Sequence, residues 1–189
     1  MENYINGFEE KNRLRNQFAS MAFALSDQYK RVSSEEITRR ILSCKEYIEA
    51  NSLFVYLSTD VEVSTTRLIE EAWADGKQVL VPKIVGRGLM EALPYNENTE
   101  LELYQGIRQP ISGTAVKFAE IQLAIVPSVS CTLDGRRLGH GGGFYDRFLS
   151  DFKGYSIAPV FSDLVSKHLP MDRWDKKVDM VVTESSKGE

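Results

Sequence analysis

Histidine, cysteine and tryptophan are scarce in this 189-residue chain, with two of each. His140 and His168 are too few for a histidine-rich zinc centre. Cys44 and Cys131 have no metal-ligand spacing and read as packing residues, as free cysteines usually are. Long apolar runs are missing as well. The longest, such as LFVYL and LAIVP, fall far short of a membrane span. The opening stretch MENYINGFEEKNRLR holds no apolar core, so no secretory signal is expected and the expected compartment is the cytoplasm. Neither sign of charge dominates: 23 basic and 27 acidic side chains leave a net charge of -4. Such a chain is a poor non-specific binder of nucleic acid, although a few converging basic residues can still hold an anion. What is present is an ordinary globular composition, 42% hydrophobic and 26% charged. A core of that size needs no disulfide or metal staple.

Residues 1–9 read as a loose lead-in. Over residues 11–25, Leu14, Phe18, Met21, Ala22 and Leu25 recur at helical spacing, with Lys11 and Arg15 on the opposite face. A second helix is expected to start at Ser33, with Glu36 completing a capping box, and to place Ile37, Ile41, Cys44 and Ile48 on one face. Residues 53–57 read as a buried strand. A third helix carries Leu68, Ile69, Ala72 and Trp73 and stops at Gly76. Further strands are expected at 77–82, 90–95, 101–104, within 119–127, at 155–161 and at 178–183. A polar loop spans 128–142, and a helix follows from Gly143 to about Phe152. Strands alternating with helices, several of them continuously apolar, predict an α/β fold. The expected form is a three-layer single domain over residues 1–189, with a largely parallel or mixed central sheet and helices on both faces. Ligands in such folds sit past the carboxyl ends of the strands. The loops expected there are 58–65, 128–142 and 162–170.

The most informative segment is VPSVSCTLDGRRLGHGGGFYDRFL, residues 126–149. A strand leads in, four glycines cluster at 139 and 141–143, and an amphipathic helix leads out. Glycine permits positive φ and close backbone approach. Open amides at a helix N-terminus favour an anion. Arg136 and Arg137 can add charge-assisted hydrogen bonds to phosphate. The segment is neither a Walker A loop nor the six-residue dinucleotide turn. Asp146, in the first helical turn, suits either a capping carboxylate or a Mg²⁺ ligand beside phosphates.

This segment resembles the signature of the 5-formyltetrahydrofolate cyclo-ligase family, matched by Arg137-Leu138-Gly139, Gly141, Gly143, Tyr145 and Asp146. Other pieces fall in the family's order: Lys11-x-x-x-Arg15, Glu62 in DVEVST, the stretch GIRQP at 106–110, and Asp175 in WDKKVD. The resemblance runs from about Lys11 to Thr183. It implies an ATP- and Mg²⁺-dependent enzyme that closes 5-formyltetrahydrofolate to the 5,10-methenyl form, acting on small molecules. With the charge and the short apolar runs, no nucleic-acid or membrane partner is expected, and a monomer is the working expectation although the sequence does not give oligomeric state. It assigns ATP to Lys11, Arg15 and residues 137–145, namely Arg137, Leu138, Gly139, His140, Gly141, Gly142, Gly143, Phe144 and Tyr145. Folate falls to Leu57, Glu62 and residues 140–144, the chemistry to Arg137, His140 and Tyr145, and the metal to Asp146 and Asp175. The sequence departs from the pattern at Ser130-Cys131, Gly142, Phe144, Ser162-Asp163 and Trp174, mostly on the folate side.

Each outlying residue also has a plainer reading. Lys11 and Arg15 share one helix face and suit a solvated basic stripe as well as a phosphate chain. Glu62 suits a surface loop, and Asp175 or Asp179 can pair with Lys176 or Lys177. His140 can face phosphate, formyl oxygen or solvent, and Tyr145 can simply pack on the sheet. Two other classes fit the turn alone. One is a sugar-phosphate isomerase needing no ATP. The other is a non-catalytic nucleotide- or folate-binding module.

Overall fold

A computed structural model describes residues 2–185, with side chains from residue 7 onward. Helix α1 spans Glu2–Ala24, so residues 2–9 are its first turns rather than a loose lead-in; residue 1 lies outside the described residues. Helix α2 covers Asp27–Ser43 and starts earlier than expected. Ser26 caps it by accepting a hydrogen bond from the Tyr29 amide. Ser33 is therefore a buried interior residue, and Glu36 pairs with Arg39 and Arg40 one turn ahead. The backbone turns extended at Cys44, and Ile48 in the short helix α3 (Lys45–Glu49) is exposed.

Strand β1 (Ser52–Val55) is buried at every position. Helix α4 (Thr66–Ala74) is followed by Gly76 in the left-handed region (φ 73°). Strand β2 (Gln78–Gly86) runs further than expected and turns into β3 (Leu89–Pro94). Strands β4 (Leu101–Tyr104) and β5 (Ile107–Pro110) form a separate hairpin. Strand β6 (Leu123–Ile125) enters the glycine-rich segment, which carries its own small hairpin, β7 (Ser130–Cys131) and β8 (Arg137–Leu138). Helix α5 (Phe144–Asp151), strand β9 (Tyr155–Pro159) and strand β10 (Met180–Val182) complete the chain.

The central sheet has the order β10-β9-β6-β1-β2-β3, parallel except for the β2–β3 pair. The expected α/β architecture, a mixed sheet flanked by helices, is the one observed. Parallel strands are covered on both faces, which is why β1, β6 and β9 read as apolar runs. Beneath their carboxyl ends the rings of Phe54, Phe118, Phe148 and Phe152 pack with centroids 4.7 to 6.3 Å apart. Among the described residues no helix is long and apolar enough to cross a membrane.

Candidate active site

From β1 the chain moves to β2 on one side, and later to β6 on the other. The carboxyl ends of β1 and β6 therefore flank a topological switch point, where open α/β sheets leave a crevice. A cavity of about 1350 Å³ lies here. Of the residues expected at the site, all but Arg136 line it: Lys11, Arg15, Leu57, Glu62, residues 137–146 and Asp175. The loop after β1 and the glycine-rich turn after β6 form its walls, as expected. Residues 162–170 do not; the segment around Asp172 and Asp175 stands there instead.

The turn is built for an open helix end. Gly143 caps α5 in the left-handed region (φ 68°), and no side chain caps the helix. A Cβ there would lie 2.8 Å from Arg147 Nη1. Gly141 (φ 97°) rests on the Arg15 guanidinium, 3.4 Å from where its Cβ would be. Arg15 Nε donates to the Gly139 carbonyl at 2.8 Å, so α1 braces the turn from below. His140 is exposed, and Leu138 is buried.

Oppositely charged side chains interlock next to the turn. Arg137 is 6% exposed; its Nη2 donates to Asp146 Oδ1 at 3.0 Å and its Nη1 to the Pro127 carbonyl at 3.3 Å. Asp146 Oδ1 also accepts the Lys176 amide at 3.2 Å, which ties the segment carrying Asp175 to the start of α5. Lys11 is not a solvated stripe residue. It is buried and ion-paired to both Asp172 and Asp175. Burial opposes its charge, but hydrogen bonds and charge from the two aspartates hold its pKa above 10.5. Arg136, expected beside phosphate, lies in the connection before β8, where Asp134 two residues earlier pairs with it at 3.3 Å, and it lines no part of the cavity.

Two buried polar atoms facing this region have no hydrogen-bond partner among the described residues: Arg137 Nε and the Tyr145 hydroxyl. Buried donors are rarely left unmet, so both mark a place for a ligand oxygen. Burial, aided by the Glu62 carboxylate, pushes the Tyr145 phenol well above its ordinary value, which keeps it a neutral donor. Its ring packs on Phe54 and Phe148, so the packing role and the site role hold together.

Across the cavity, Glu62 Oε2 accepts from the Thr59 amide and hydroxyl, each at 2.9 Å, which fixes the carboxylate in the loop after β1. Apolar side chains, among them Leu57, Met90, Ile107 and Trp174, also line the cavity. The tip of the β4–β5 hairpin, Gln105 and Gly106, also reaches the cavity. Buried Gln109 ties that hairpin to β2, accepting from the Ile84 amide at 2.9 Å, while Lys83 donates to the Pro110 and Ile111 carbonyls. Sequence reasoning missed the roles of Asp172, Arg147 and this hairpin. The Asp172-x-x-Asp175 spacing and the Tyr-Asp-Arg ending of the turn were the available signals.

Three hard oxygen donors, Asp146, Asp172 and Asp175, fit Mg²⁺ in kind. Among the described residues no cluster could hold a metal by protein groups alone. A Mg²⁺ ion held there would therefore need phosphate oxygens and water to complete its shell.

Residues 8–184 match the model of the 5-formyltetrahydrofolate cyclo-ligase family. The chain is 32% identical over 171 residues to the 5-formyltetrahydrofolate cyclo-ligase of Escherichia coli strain K12, covering 86% of this chain and 93% of that one. It is 27% identical over 191 residues to the corresponding protein of Mus musculus, covering 93% and 94%. The solved structure of the 5,10-methenyltetrahydrofolate synthetase of Aquifex aeolicus superposes with a TM-score of 0.83 at 30% identity, over 93% of this chain and 90% of that one.

Proposed function

The chain belongs to the 5-formyltetrahydrofolate cyclo-ligase family, and from that premise we propose that it converts 5-formyltetrahydrofolate to 5,10-methenyltetrahydrofolate with ATP and Mg²⁺. One observation carries the reading. A single cavity joins a turn of open amides and cations to an apolar compartment with one fixed carboxylate. A phosphate chain suits the first end, and a flat heterocycle with N–H donors suits the second.

The N5-formyl group is an amide, with a poorly electrophilic carbon and an oxygen that leaves badly. In the proposed reaction the formyl oxygen attacks the γ-phosphorus of ATP, and ADP departs with the electron pair of the broken P–O bond. N10 attacks the carbon of the resulting N5-iminium phosphate. Phosphate then leaves, taking the N10 proton, and the methenyl ring closes. Such a sequence needs positioning and charge neutralisation rather than a protein nucleophile. Arg15, Arg137 and the amides of Gly139–Gly143 bind and orient the phosphates, and Lys11 joins them. The unmet Arg137 Nε and Tyr145 hydroxyl donate to oxygens of the reacting groups, as does His140. Glu62 accepts N–H groups of the pterin, while Leu57 and Phe144 pack against the folate. Asp146 and Asp175 hold Mg²⁺, which supplies charge neutralisation at the phosphates. The reading extends to a cytoplasmic monomer that works on small molecules, without nucleic acid or membrane; the net charge of -4 supports the absence of nucleic acid.

The test is direct. Purified protein with Mg·ATP and 5-formyltetrahydrofolate should develop the near-ultraviolet absorbance of the methenyl product, and omission of ATP should abolish it. Binding of both ligands without absorbance change would instead identify a binding module.

A further inference from the structure

We propose that Lys11 is a place-holding cation: its ammonium neutralises the Asp172–Asp175 carboxylates in the free protein and gives way when a divalent cation arrives with the nucleotide. The inference rests on the reading of Asp175 as a metal ligand, and it adds Asp172 as that ligand's partner.

Three observations lead there. First, the ammonium sits on both carboxylates, 2.6 Å from Asp172 Oδ2 and also bonded to Asp175 Oδ2. Lys11 itself is 6% exposed, whereas the carboxylate side chains are 31% and 19% exposed and line the cavity. The ammonium is therefore the more enclosed partner, and the acids keep more of their surface open to the cavity. Second, Asp175 Oδ2 also accepts the Asp172 amide at 2.6 Å, so it cannot swing away to find other counter-charge. Two cations cannot share that oxygen at bonding distance without strong repulsion. Metal and ammonium must compete for it.

Third, the ion pairs beside the turn are closed while a donor stays open. Lys11 pairs with Asp172 and Asp175, and Arg137 with Asp146, among the four cations and five carboxylates that line the whole cavity. The paired carboxylates are already neutralised, yet the buried Arg137 Nε has no acceptor among the described residues. A divalent ion alone would have to expel an ammonium into a cationic neighbourhood. A nucleotide arriving with it supplies the acceptor for that ammonium. Lys11 lies one helical turn from Arg15, which braces the glycine turn through Gly139, so the released side chain comes out beside the phosphates. Metal and nucleotide then load together, and neither loads well alone.

The experiment reads metal binding, not turnover. Mn²⁺ is titrated into the full chain without nucleotide, and the free ion is followed by its paramagnetic resonance signal. Lys11→Met should bind Mn²⁺ about tenfold or more tightly than the parent, a gain of at least about 1.4 kcal/mol. Adding Asp172→Asn to that variant should remove the gain. In the parent, a non-hydrolysable ATP analogue should tighten Mn²⁺ binding by a similar factor, and Mn²⁺ should tighten the analogue equally, since the coupling is reciprocal. Lys11→Gln, which keeps one donor for the acids, provides the same comparison if Lys11→Met melts early. Unchanged Mn²⁺ affinity in the folded Lys11 variants, or a gain that survives Asp172→Asn, overturns the proposal. Methenyl formation by the parent is assayed in parallel. Product without the Mn²⁺ gain removes the place-holder and leaves the cyclo-ligase reading intact. The Mn²⁺ gain without product does the reverse.

Discussion

At the scale of single residues, the site separates into groups already satisfied and groups left waiting. Glu62 has one oxygen committed to Thr59, and no hydrogen bond reaches the other among the described residues. Arg137 spends its terminal nitrogens on Asp146 and Pro127 and keeps Nε unmet. These two side chains line one cavity with opposite charge, and on the proposed reading their loss should separate the two ligands. Glu62→Gln should weaken 5-formyltetrahydrofolate binding about ten- to a hundredfold, the worth of a charge-assisted hydrogen bond, while ATP binding changes little. Arg137→Ala should do the opposite, and calorimetric titration of each ligand gives the comparison. Equal loss of both ligands in either folded variant would remove that residue from its assigned role. Both residues were legible in the sequence because the glycine-rich motif and its order relative to Glu62 mark them. Asp172 was barely legible. Its spacing to Asp175 was the one signal, and a surface-type aspartate beside a loop does not disclose a pairing with a buried lysine 161 positions away. Arg136 was misplaced because adjacent arginines look alike in sequence, yet Arg136 ends the turn and pairs with Asp134 while Arg137 opens β8 and is buried.

At the scale of elements, periodicity located the helices and the central strands but not their joints. Helix α2 starts at Asp27 because Ser26 is a working cap, while the stronger-looking Ser33 and Glu36 pattern lies inside the helix. Strand β5 escaped notice because its four residues, IRQP, carry no apolar alternation; pairing with β4 and the Gln109 link to β2 hold it. The β7–β8 hairpin was hidden by its two-residue strands. The segment just after β10 is fastened by another contact that composition does not reveal. Glu184, just after β10, accepts from the Ser162 amide and hydroxyl and from Tyr29 of α2. Burial alone would raise its pKa, but these donors hold it below its ordinary 4.5. A depressed carboxylate stabilises the fold above its unfolded-state value and loses that contribution as pH falls through the lower folded-state value. Thermal melts should therefore show the parent more stable than Glu184→Gln by a constant margin at neutral pH. That margin should shrink as the pH drops below about 4.5. A margin that stays the same down to pH 2 would mean the contact acts through shape rather than charge.

At the scale of the whole molecule, the cavity is a product of topology. Lys11 and Arg15 come from the first helix, Glu62 follows β1, the glycine turn follows β6, and Asp172 and Asp175 precede the last strand. None of these segments is near the others in sequence, and only the sheet order β10-β9-β6-β1-β2-β3 brings them to one crevice. The cavity therefore has no counterpart in the unfolded chain. A ligand that needs all of its walls binds the folded state alone and stabilises it by mass action, by about 2.7 kcal/mol at a hundred times its Kd. For a chain of this length that should raise Tm by about 5–10 °C. Saturating Mg·ATP should produce this shift in a differential scanning experiment, and Mg²⁺ alone should produce much less, because Lys11 already neutralises Asp172 and Asp175. An equal shift from Mg²⁺ alone would place the metal away from these carboxylates. No shift with Mg·ATP would mean that the crevice at the switch point does not take the nucleotide, whatever its amides and cations suggest.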